Sequence, residues 1–386
     1  DVYVFGVGSG KDVIDNSDAG YGKVDTLRLG VAVPADVVLQ AVTNDLVVSL
    51  RNSSDQLIVL GYFSTAPLER IEFAGGAIWT PADVLANLPS MLTEGADNVT
   101  GTAAPDVISA LGGNDTIRGL AGADVVDGGA GNDLEYGGDG NDTLLGGDGA
   151  DDLRGEANDD RLEGAAGNDL LTGGAGNDAL YGGDGNDSLE GSDGDDLVDG
   201  GLGDDTLSGS LGNDIYAGGA GADYAYDSWG NNTFDGADGN DRFFAGAGDD
   251  VLRGGAGTDT LSGGEGNNTL IDGETLSAGV GNDTYVLNSV SGLVQITDSG
   301  GVQDVLILPA VASPLTTRVN VGAVSGAGSF DYLELDIPGV NPIQLSHYFN
   351  SPSGPEQIEQ IRFSDGTVWS AADVVARLPN SNLSDR

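Results

Sequence analysis

Single apolar residues recur at intervals of nine along the middle of the chain, each two positions after an acidic or amide residue. These acidic or amide residues, which we call the ladder, continue without a slip through twenty positions: Asp97, Asp106, Asp115, Asp124, Asp133, Asp142, Asp151, Asp160, Asp169, Asp178, Asp187, Asp196, Asp205, Asp214, Asp223, Asn232, Asp241, Asp250, Asp259 and Asn268. The apolar residues that follow them include Ile117, Val126, Leu144, Leu153, Leu162, Leu180, Leu189, Leu207, Phe243 and Leu261. An isolated apolar side chain between polar neighbours predicts a short strand with one residue facing a thin core.

Glycines fill the positions before most ladder residues, as in residues 128–133, which read Gly-Gly-Ala-Gly-Asn-Asp. Glycine adopts positive φ and lets carbonyl oxygens turn inward, because no Cβ stands in the way. The consensus G-G-x-G-x-D-x-U-x, where U is apolar, is typical of calcium-binding parallel β-rolls. If one nonapeptide makes half a coil, ladder residues eighteen apart stack on one edge. Asp133 then lies beside Asp151, and Asp142 beside Asp160.

This chemistry suits calcium, which takes roughly six to eight oxygen ligands at about 2.3–2.6 Å. Complete six-residue loops end at Asp133, Asp142, Asp151, Asp178, Asp187, Asp205, Asp223 and Asp259. Other loops depart from the consensus. The loop before Asp160 contains Glu156 and Asn158, the loop before Asn232 contains Trp229, and the loop before Asp106 has almost no glycine.

Residues 93–283 resemble the repeats-in-toxin (RTX) region of type-I-secreted bacterial proteins. In that family the first and third carbonyls of one loop, the second and fourth carbonyls of the stacked loop, and both aspartates bind calcium. The resemblance implies one site from Gly128, Ala130, Asp133, Gly147, Gly149 and Asp151, and another from Gly173, Ala175, Asp178, Ser192, Gly194 and Asp196. The remaining predicted metal ligands are Asp106, Asp115, Asp124, Gly137, Asp139, Asp142, Asp160, Asp169, Gly182, Asp184, Asp187, Gly201, Gly203, Asp205, Asp214, Gly219, Gly221, Asp223, Asp241, Asp250, Gly255, Gly257 and Asp259.

The charge balance strengthens the calcium prediction. The chain has 62 Asp and Glu against 14 Lys and Arg, a net charge of −48, and this self-repulsion opposes a compact state. We therefore expect the roll to be largely unfolded without calcium and to fold with it. Such acidity also excludes nucleic acid as a partner, and the absence of cysteine excludes disulfides and thiol chemistry. No apolar run reaches the roughly 18–20 residues that a membrane span needs.

The segments on either side of the roll have a different pattern of apolar and polar residues. Residues 1–92 and 284–386 carry alternating apolar runs, and residues 283–287, 361–363 and Trp369 match residues 1–5, 71–73 and Trp79. Both segments resemble the haemolysin-type calcium-binding-related module that borders RTX blocks, and each is predicted to end in a short helix, capped by Thr80 or Ser370. A solenoid needs closing units at its ends. The expected fold is therefore all-β: a right-handed parallel β-roll over 93–283, capped by modules 1–92 and 284–386.

Catalytic motifs are missing from the sequence. His347 is the single histidine, so a two-histidine zinc helix is impossible, and no G-x-S-x-G motif offers it a serine. Residues 8–11 faintly resemble a phosphate loop, but Asp12 stands where that loop needs Ser or Thr. We predict a non-catalytic protein. An aromatic group around Trp229 has two interpretations, a local defect of the roll filled by aromatic side chains or an exposed contact surface.

The sequence as a whole predicts an extracellular structural or surface element, such as an adhesin, surface-layer or filament subunit, that folds on external calcium. Two alternatives stay open. Because the chain begins at Asp1 without a methionine, it can be the carboxy-terminal half of a secreted toxin or hydrolase whose active domain lies upstream. Alternatively, the matched modules can join subunits head to tail into a filament or surface layer.

Overall fold

A computed structural model describes residues 2–15, 26–31, 37–42, 45–50, 55–60, 68, 70–80, 93, 95–288, 292–301, 303–310, 312, 317–322, 332–338, 340–346 and 358–378. The chain divides into two compact units, Asp1–Leu92 and Thr93–Arg386, which are described separately. Several sequence predictions fall outside the described residues: the helix after Thr80, and His347 with its neighbours.

The first unit contains two small sheets. Its strands are β1 (Val2–Phe5), β2 (Lys11–Asp15), β3 (Thr26–Leu29), β4 (Val37–Val42), β5 (Asp45–Leu50), β6 (Gln56–Leu60), β7 (Arg70–Phe73) and β8 (Ile78–Trp79). One sheet has the order β1-β3-β7-β8 and the other β2-β6-β5-β4. The pairs β1–β3, β3–β7 and β2–β6 are parallel, whereas the other pairs are antiparallel.

A continuous apolar cluster forms the core of this first unit. Alternate residues of its strands, among them Leu27, Leu46 and Ile71, are buried there, and the half-buried Trp79 packs against the cluster, in T-shaped contact with Phe73. The buried carboxylate of Asp55 accepts the backbone N–H groups of Gly8 and Gly10 at 2.7 and 2.6 Å. The loop that faintly resembled a phosphate loop therefore directs its amides at a carboxylate of the same chain.

The repeat region forms a parallel β-solenoid. Its strands are β9 (Asn98–Thr100), β10 (Val107–Ser109), β11 (Thr116–Ala121), β12 (Val125–Ala130), β13 (Leu134–Asp139), β14 (Thr143–Asp148), β15 (Asp152–Ala157), β16 (Arg161–Ala166), β17 (Leu170–Ala175), β18 (Ala179–Asp184), β19 (Ser188–Asp193), β20 (Leu197–Leu202), β21 (Thr206–Leu211), β22 (Ile215–Ala220), β23 (Tyr224–Tyr226), β24 (Thr233–Asp238), β25 (Arg242–Phe244), β26 (Val251–Arg253), β27 (Thr260–Ser262) and β28 (Thr269–Ile271). Even-numbered strands lie in one sheet and odd-numbered strands in the other.

The register confirms that two nonapeptides make one coil. Leu144 pairs with Leu162, which pairs in turn with Leu180, so strands stack at a spacing of eighteen residues. The apolar residue two positions after each ladder residue is fully buried between the sheets, as Leu153 and Leu207 illustrate. From β11 to β22 the strands are six residues long rather than three. They are longer because the glycine loops also pair with the loops of neighbouring coils, as Gly129 does with Gly147.

The last part of the chain continues both sheets of the solenoid. Its elements are β29 (Thr275–Ala278), β30 (Thr284–Val286), β31 (Val294–Asp298), β32 (Val305–Ile307), β33 (Arg318–Gly322), β34 (Tyr332–Asp336), β35 (Ile343–Ser346), β36 (Gln360–Arg362), β37 (Val368–Ser370) and helix α1 (Ala371–Val375). Ser370 caps α1 in a capping box with Asp373, as predicted. The spacing between paired residues falls to fifteen at Leu270 and Tyr285 and then rises to twenty-one at Tyr285 and Leu306.

The strand connections of this last part repeat those of the first unit. The order β30-β32-β36-β37 corresponds to β1-β3-β7-β8, and β31-β35-β34-β33 corresponds to β2-β6-β5-β4. Ile361 pairs with Trp369 as Ile71 pairs with Trp79, and Phe363 makes a T-shaped contact with the Trp369 ring as Phe73 does with Trp79. Trp369 thus belongs to a core, as the duplicated sequence predicted, whereas the half-buried Trp79 packs against the edge of one.

Candidate calcium sites

The ladder residues form two columns of hydrogen bonds, one along each edge of the roll. In each column the backbone N–H of one ladder residue donates to the side-chain Oδ1 of the ladder residue one coil later. Asp133 N–H donates to Asp151 Oδ1 at 2.8 Å, and Asp142 N–H donates to Asp160 Oδ1 at 2.7 Å. The predicted stacking of these two pairs is therefore present in the structure.

The second carboxylate oxygen of most ladder residues is buried and has no hydrogen-bond partner. These Oδ2 atoms belong to Asp115, Asp124, Asp133, Asp142, Asp151, Asp160, Asp169, Asp178, Asp187, Asp196, Asp205, Asp223, Asp241, Asp250 and Asp259. A buried carboxylate oxygen without a donor is costly, because it has lost its hydration and gained nothing in exchange. The array of such atoms is what a row of bound cations would satisfy.

In most loops the first residue is a glycine, which keeps open the space in front of this oxygen. A Cβ on Gly155 would overlap Asp160 Oδ2 and lie 2.7 Å from the carbonyl oxygen of Gly173 in the next coil. At Gly119 a Cβ would likewise overlap Asp124 Oδ2 and lie 2.6 Å from the Gly137 carbonyl. A carboxylate oxygen and a carbonyl oxygen from the next coil thus converge on a space that any side chain would fill. This donor set fits calcium, a hard cation that prefers oxygen.

Burial raises the pKa of the ladder aspartates from Asp133 to Asp259, although the N–H donated from the preceding coil lowers it. Negative charges on neighbouring coils also raise the pKa at most of these positions. The pKa is about 6 for Asp151, Asp178, Asp187 and Asp196, about 7 for Asp205, Asp214, Asp241 and Asp250, and about 8 for Asp160. A site without a cation is thus electrostatically unfavourable at neutral pH.

The carbonyls predicted as ligands lie in the same stacked loops. The carbonyls of Ala130 and Ala175 accept the N–H groups of Gly113 and Asn158 from the preceding coil at 2.7 and 2.6 Å. Each carbonyl oxygen keeps a second lone pair for another partner. The structure places the aspartates of each predicted pair beside each other, and the complete ligand set of each site stays a prediction.

The loops that depart from the consensus differ among themselves. Before Asp160, Glu156 and Asn158 both adopt φ of +78°, so the loop keeps the glycine-like form despite their side chains. At Asp106, by contrast, Oδ2 accepts the backbone N–H and the hydroxyl of Thr102, the hydroxyl at 2.9 Å. Of the predicted ligands, Asp106 therefore has its Oδ2 already engaged.

The ladder continues beyond the nonapeptide period, which sequence periodicity did not reveal. One column extends from Asp259 to Glu274, whose Oε2 accepts the Asp259 N–H at 3.0 Å. The other extends from Asn268 through Asp283 and Asp304 to Glu359, with N–H to carboxylate distances of 2.7, 2.7 and 2.6 Å. The signal was concealed because the sequence spacing changes at each of these steps.

Glu135 is a further acidic residue that the pattern missed. It stands two positions after Asp133, where the other repeats carry an apolar or aromatic residue, most often leucine, and is fully buried with both carboxylate oxygens lacking a partner. A Cβ on Gly128 would lie 2.5 Å from both Glu135 Oε1 and Asp133 Oδ2, so the Glu135 carboxylate extends from the core to the loop. Burial, followed by the charges of Asp133 and Asp151, raises the pKa of Glu135 to about 9.

In one irregular loop the carboxylate lies at the first loop position instead of the ladder position. Asn232 replaces the ladder aspartate, and Asp227 stands where the first loop glycine is expected. The Asp227 carboxylate is buried and accepts the hydroxyl of the core residue Tyr216 and the Trp229 N–H, the latter at 3.1 Å. The Trp229 side chain is 61% exposed and therefore does not fill a defect of the roll.

Comparison with protein families agrees with this geometry. The family described as RTX calcium-binding nonapeptide repeat (4 copies) matches residues 93–126, 100–135, 136–171, 172–207, 208–243 and 235–270. The family described as haemolysin-type calcium binding protein related domain matches residues 45–83 and 342–373. A search among curated proteins finds no match. In the part of the chain that the structure describes, no helix has the length and apolar character to cross a membrane.

Proposed function

The chain is an RTX repeat protein with a haemolysin-type calcium binding protein related domain on each side of its repeats, and from this premise we propose that calcium drives the folding of its roll outside the cell. We propose further that the folded roll is a non-catalytic structural element of a secreted bacterial protein, acting at a surface as an adhesin, surface-layer or filament subunit. The observation that carries the proposal is the row of buried Oδ2 atoms without a partner.

These oxygens couple folding to calcium because they come together only in the folded chain. Residues eighteen positions apart contribute to each space, and the unfolded chain offers no such arrangement. A ligand that binds only the folded state stabilises it by its full binding free energy. Without a cation, the charge of −48 and the buried carboxylates oppose the same fold. The chain thus stays extended where calcium is scarce and folds where calcium is plentiful.

The proposed site ligands are the ladder aspartates from Asp115 to Asp259 together with the loop carbonyls assigned above. Calcium supplies positive charge and a coordination sphere of about six to eight oxygens, which these residues hold in a fixed order. The role proposed for the chain is structural, because most of the buried acidic residues in the described part of the chain belong to the ladder. Secretion by the type I route follows from the family resemblance and is part of the proposal.

A calcium titration of the full chain tests the proposal. The β signal in circular dichroism is expected to rise cooperatively between about 0.1 and 1 mM calcium, the range of extracellular modules. Magnesium at the same concentration is the control, because it is smaller and dehydrates reluctantly. Sodium chloride at matched ionic strength separates binding from screening. A roll that is fully folded in chelator, or folded equally by magnesium or salt, would overturn the proposal.

Sedimentation in the same titration addresses the surface role. A filament or surface-layer subunit is expected to form species larger than a monomer once calcium is bound. A calcium-bound chain that stays monomeric at every concentration would exclude self-assembly and leave attachment to another surface. A screen that found turnover abolished by one carboxylate substitution would contradict the non-catalytic role.

A further inference from the structure

We propose that Asp283, Asp298 and Asp304 form a divalent-cation site of the calcium class, additional to the ladder sites proposed above. The site lies beyond residue 270, where the match to the nonapeptide repeats ends. Each residue offers one carboxylate oxygen, and these three oxygens lie within 4.8 Å of one another. In the described part of the chain, no other group of three or more metal-binding side chains meets this criterion.

The three carboxylates are buried and under-satisfied. Asp283 and Asp304 are completely inaccessible, and Asp298 is 4% exposed. Asp304 Oδ1 accepts the Asp283 N–H at 2.7 Å, whereas the Oδ2 atoms of Asp283 and Asp304 are buried without a partner. None of the ion pairs between described residues involves any of the three. Buried carboxylates with so few donors are costly when they are ionised, and a cation held between them would supply the missing positive charge.

Asp298 is what distinguishes this site from the ladder sites. It pairs in register with Ala278, and so occupies the position where most repeats have the first loop glycine. Its Oδ1 accepts the Gly300 N–H at 3.1 Å, and its Oδ2 accepts the hydroxyl of the core residue Tyr285 at 3.0 Å. These two donors fix the orientation of the carboxylate, which adds a third acidic group to the two that a ladder pair provides.

The irregular loop around Asp227 shows the same layout with one difference. There, too, a core tyrosine, Tyr216, donates to an aspartate at the glycine position one coil later. However, the ladder residue of that loop is Asn232, so Asp227 compensates for a missing carboxylate. At the later loop the ladder residue is Asp304, so three acidic residues, Asp283, Asp298 and Asp304, lie together. Calcium affinity increases with the charge of the ligand set, which favours the later loop.

The sequence of the first unit carries the same residue types at matching places. Asp1 precedes β1 as Asp283 precedes β30, and Asp25 precedes β3 as Asp304 precedes β32. Asp15 ends β2 as Asp298 ends β31, and Tyr3 corresponds to Tyr285. The repetition of three aspartates and a tyrosine in the duplicated segment is an independent indication that they act together.

The position of the site indicates what a bound cation does. Asp298 ends β31 in one sheet, and Asp304 immediately precedes β32 in the other. β31 pairs with β35, and β32 pairs with β36, so both strands connect the last coil to the strands that follow it. A cation held by these residues ties the two sheets together at the end of the regular repeats.

The test is Asp298→Asn in the full chain, with Asp227→Asn as the matched control. Equilibrium dialysis counts bound calcium, and hydrogen exchange read by mass spectrometry follows peptides that cover residues 294–308. Asp298→Asn is expected to bind one calcium fewer per chain and to lose the calcium-dependent protection of 294–308. Asp227→Asn is expected to keep that protection. In Asp298→Asn the amide oxygen can accept the Gly300 N–H and the NH2 group can donate to the Tyr285 hydroxyl, which also accepts hydrogen bonds. Asp298→Asn should therefore exchange no faster than the unmodified chain in chelator.

Several outcomes would overturn the proposal. The site is excluded if Asp298→Asn binds as much calcium as the unmodified chain and calcium still protects residues 294–308 from exchange. Faster exchange at 294–308 both with and without calcium assigns Asp298 a purely structural role. If Asp298→Asn does not fold, Asp298→Ala, which copies the paired residue Ala278, is scored by the same criteria. Protection of 294–308 by calcium without protection of residues 130–210 would contradict the proposed function and leave this site intact.

Discussion

The first unit and the roll bury their acidic groups in opposite ways. In the first unit the buried Asp55 receives two short hydrogen bonds from Gly8 and Gly10, and a thirteen-residue apolar cluster forms the core. In the roll one apolar residue per half-coil faces the core, and the ladder aspartates keep an oxygen without a donor. In the first unit, donors of the chain itself balance the buried charge of Asp55. In the roll, the buried charge of the ladder aspartates is left to a bound ion.

Acid is expected to have the largest effect on this contrast. Several buried ladder carboxylates have raised pKa values in the folded roll, for instance about 6 at Asp151 and about 8 at Asp160, against 3.8 in an ordinary aspartate. A raised folded pKa contributes stability that is fully present below the unfolded pKa and is lost as pH rises through the folded pKa. In chelator, the roll should therefore be most stable below about pH 4 and unfold as pH rises through about 6 to 8.

Circular dichroism of the full chain in chelator, recorded across this pH range, checks the prediction. With saturating calcium the loss of β signal above pH 6 should disappear, because the carboxylates are then neutralised by the ion rather than by protons. A calcium-free chain that gains β structure as pH rises would contradict the assigned electrostatics.

The second largest effect is expected when a glycine is replaced by alanine, because this change should cost more stability in the roll than in the first unit. Gly185 lies in the roll with φ of +140°, and a Cβ there would overlap the carbonyl oxygen of Gly167 in the coil below. Gly76 in the first unit has φ of +89° with open space around it. Gly185→Ala should cost more than about 4 kcal/mol because backbone must move, whereas Gly76→Ala should cost only the roughly 1–2 kcal/mol of a left-handed backbone. Calcium-dependent folding and thermal unfolding measure the two costs, and equal costs would contradict the close stacking of the loops.

A smaller effect is expected at Glu135. Its pKa of about 9, set mainly by burial, means that folding at pH 7 requires protonation of this side chain. That requirement costs about 3 kcal/mol, at 1.36 kcal/mol for each pKa unit between the ordinary pKa of a glutamate and pH 7. Glu135→Leu should therefore lower the calcium concentration at which the chain folds. Leu153→Glu, which adds a carboxylate at the paired position in the next coil, should raise it. A higher calcium requirement in Glu135→Leu would instead identify Glu135 as a calcium ligand.

The sequence predicted the repeated part of the molecule well because one physical rule acts at every repeat. The position of each ladder aspartate in the chain determines its edge, its stacked partner and the core residue that follows it, and Leu144, Leu162 and Leu180 confirm this register. The duplicated tryptophans likewise predicted two cores of the same construction. These features are local or strictly periodic, so a pattern of residue types was sufficient to place them.

The features that escaped prediction depend on contacts between residues at irregular spacing. Asp304 and Glu359 are neighbours in the ladder although fifty-five positions separate them, and no period indicates this. Asp227 was concealed because its meaning depends on the replacement of the ladder residue by Asn232. The six-residue strands were missed because the glycine loops, which resemble turns in sequence, pair across coils in the structure.

Hydrogen exchange of the full chain, in chelator and in saturating calcium at pH 7.5, tests the central contrast most directly. Peptides of the roll, for example from residues 134–211, should exchange rapidly in chelator and become strongly protected in calcium. Peptides of the first unit that cover β5 and β7 should already be protected in chelator, because the apolar cluster that contains Leu46 and Ile71 and the hydrogen-bonded Asp55 need no ion. Protection of the roll that is unchanged by calcium would contradict the account, since its buried carboxylates would then be tolerated without a cation.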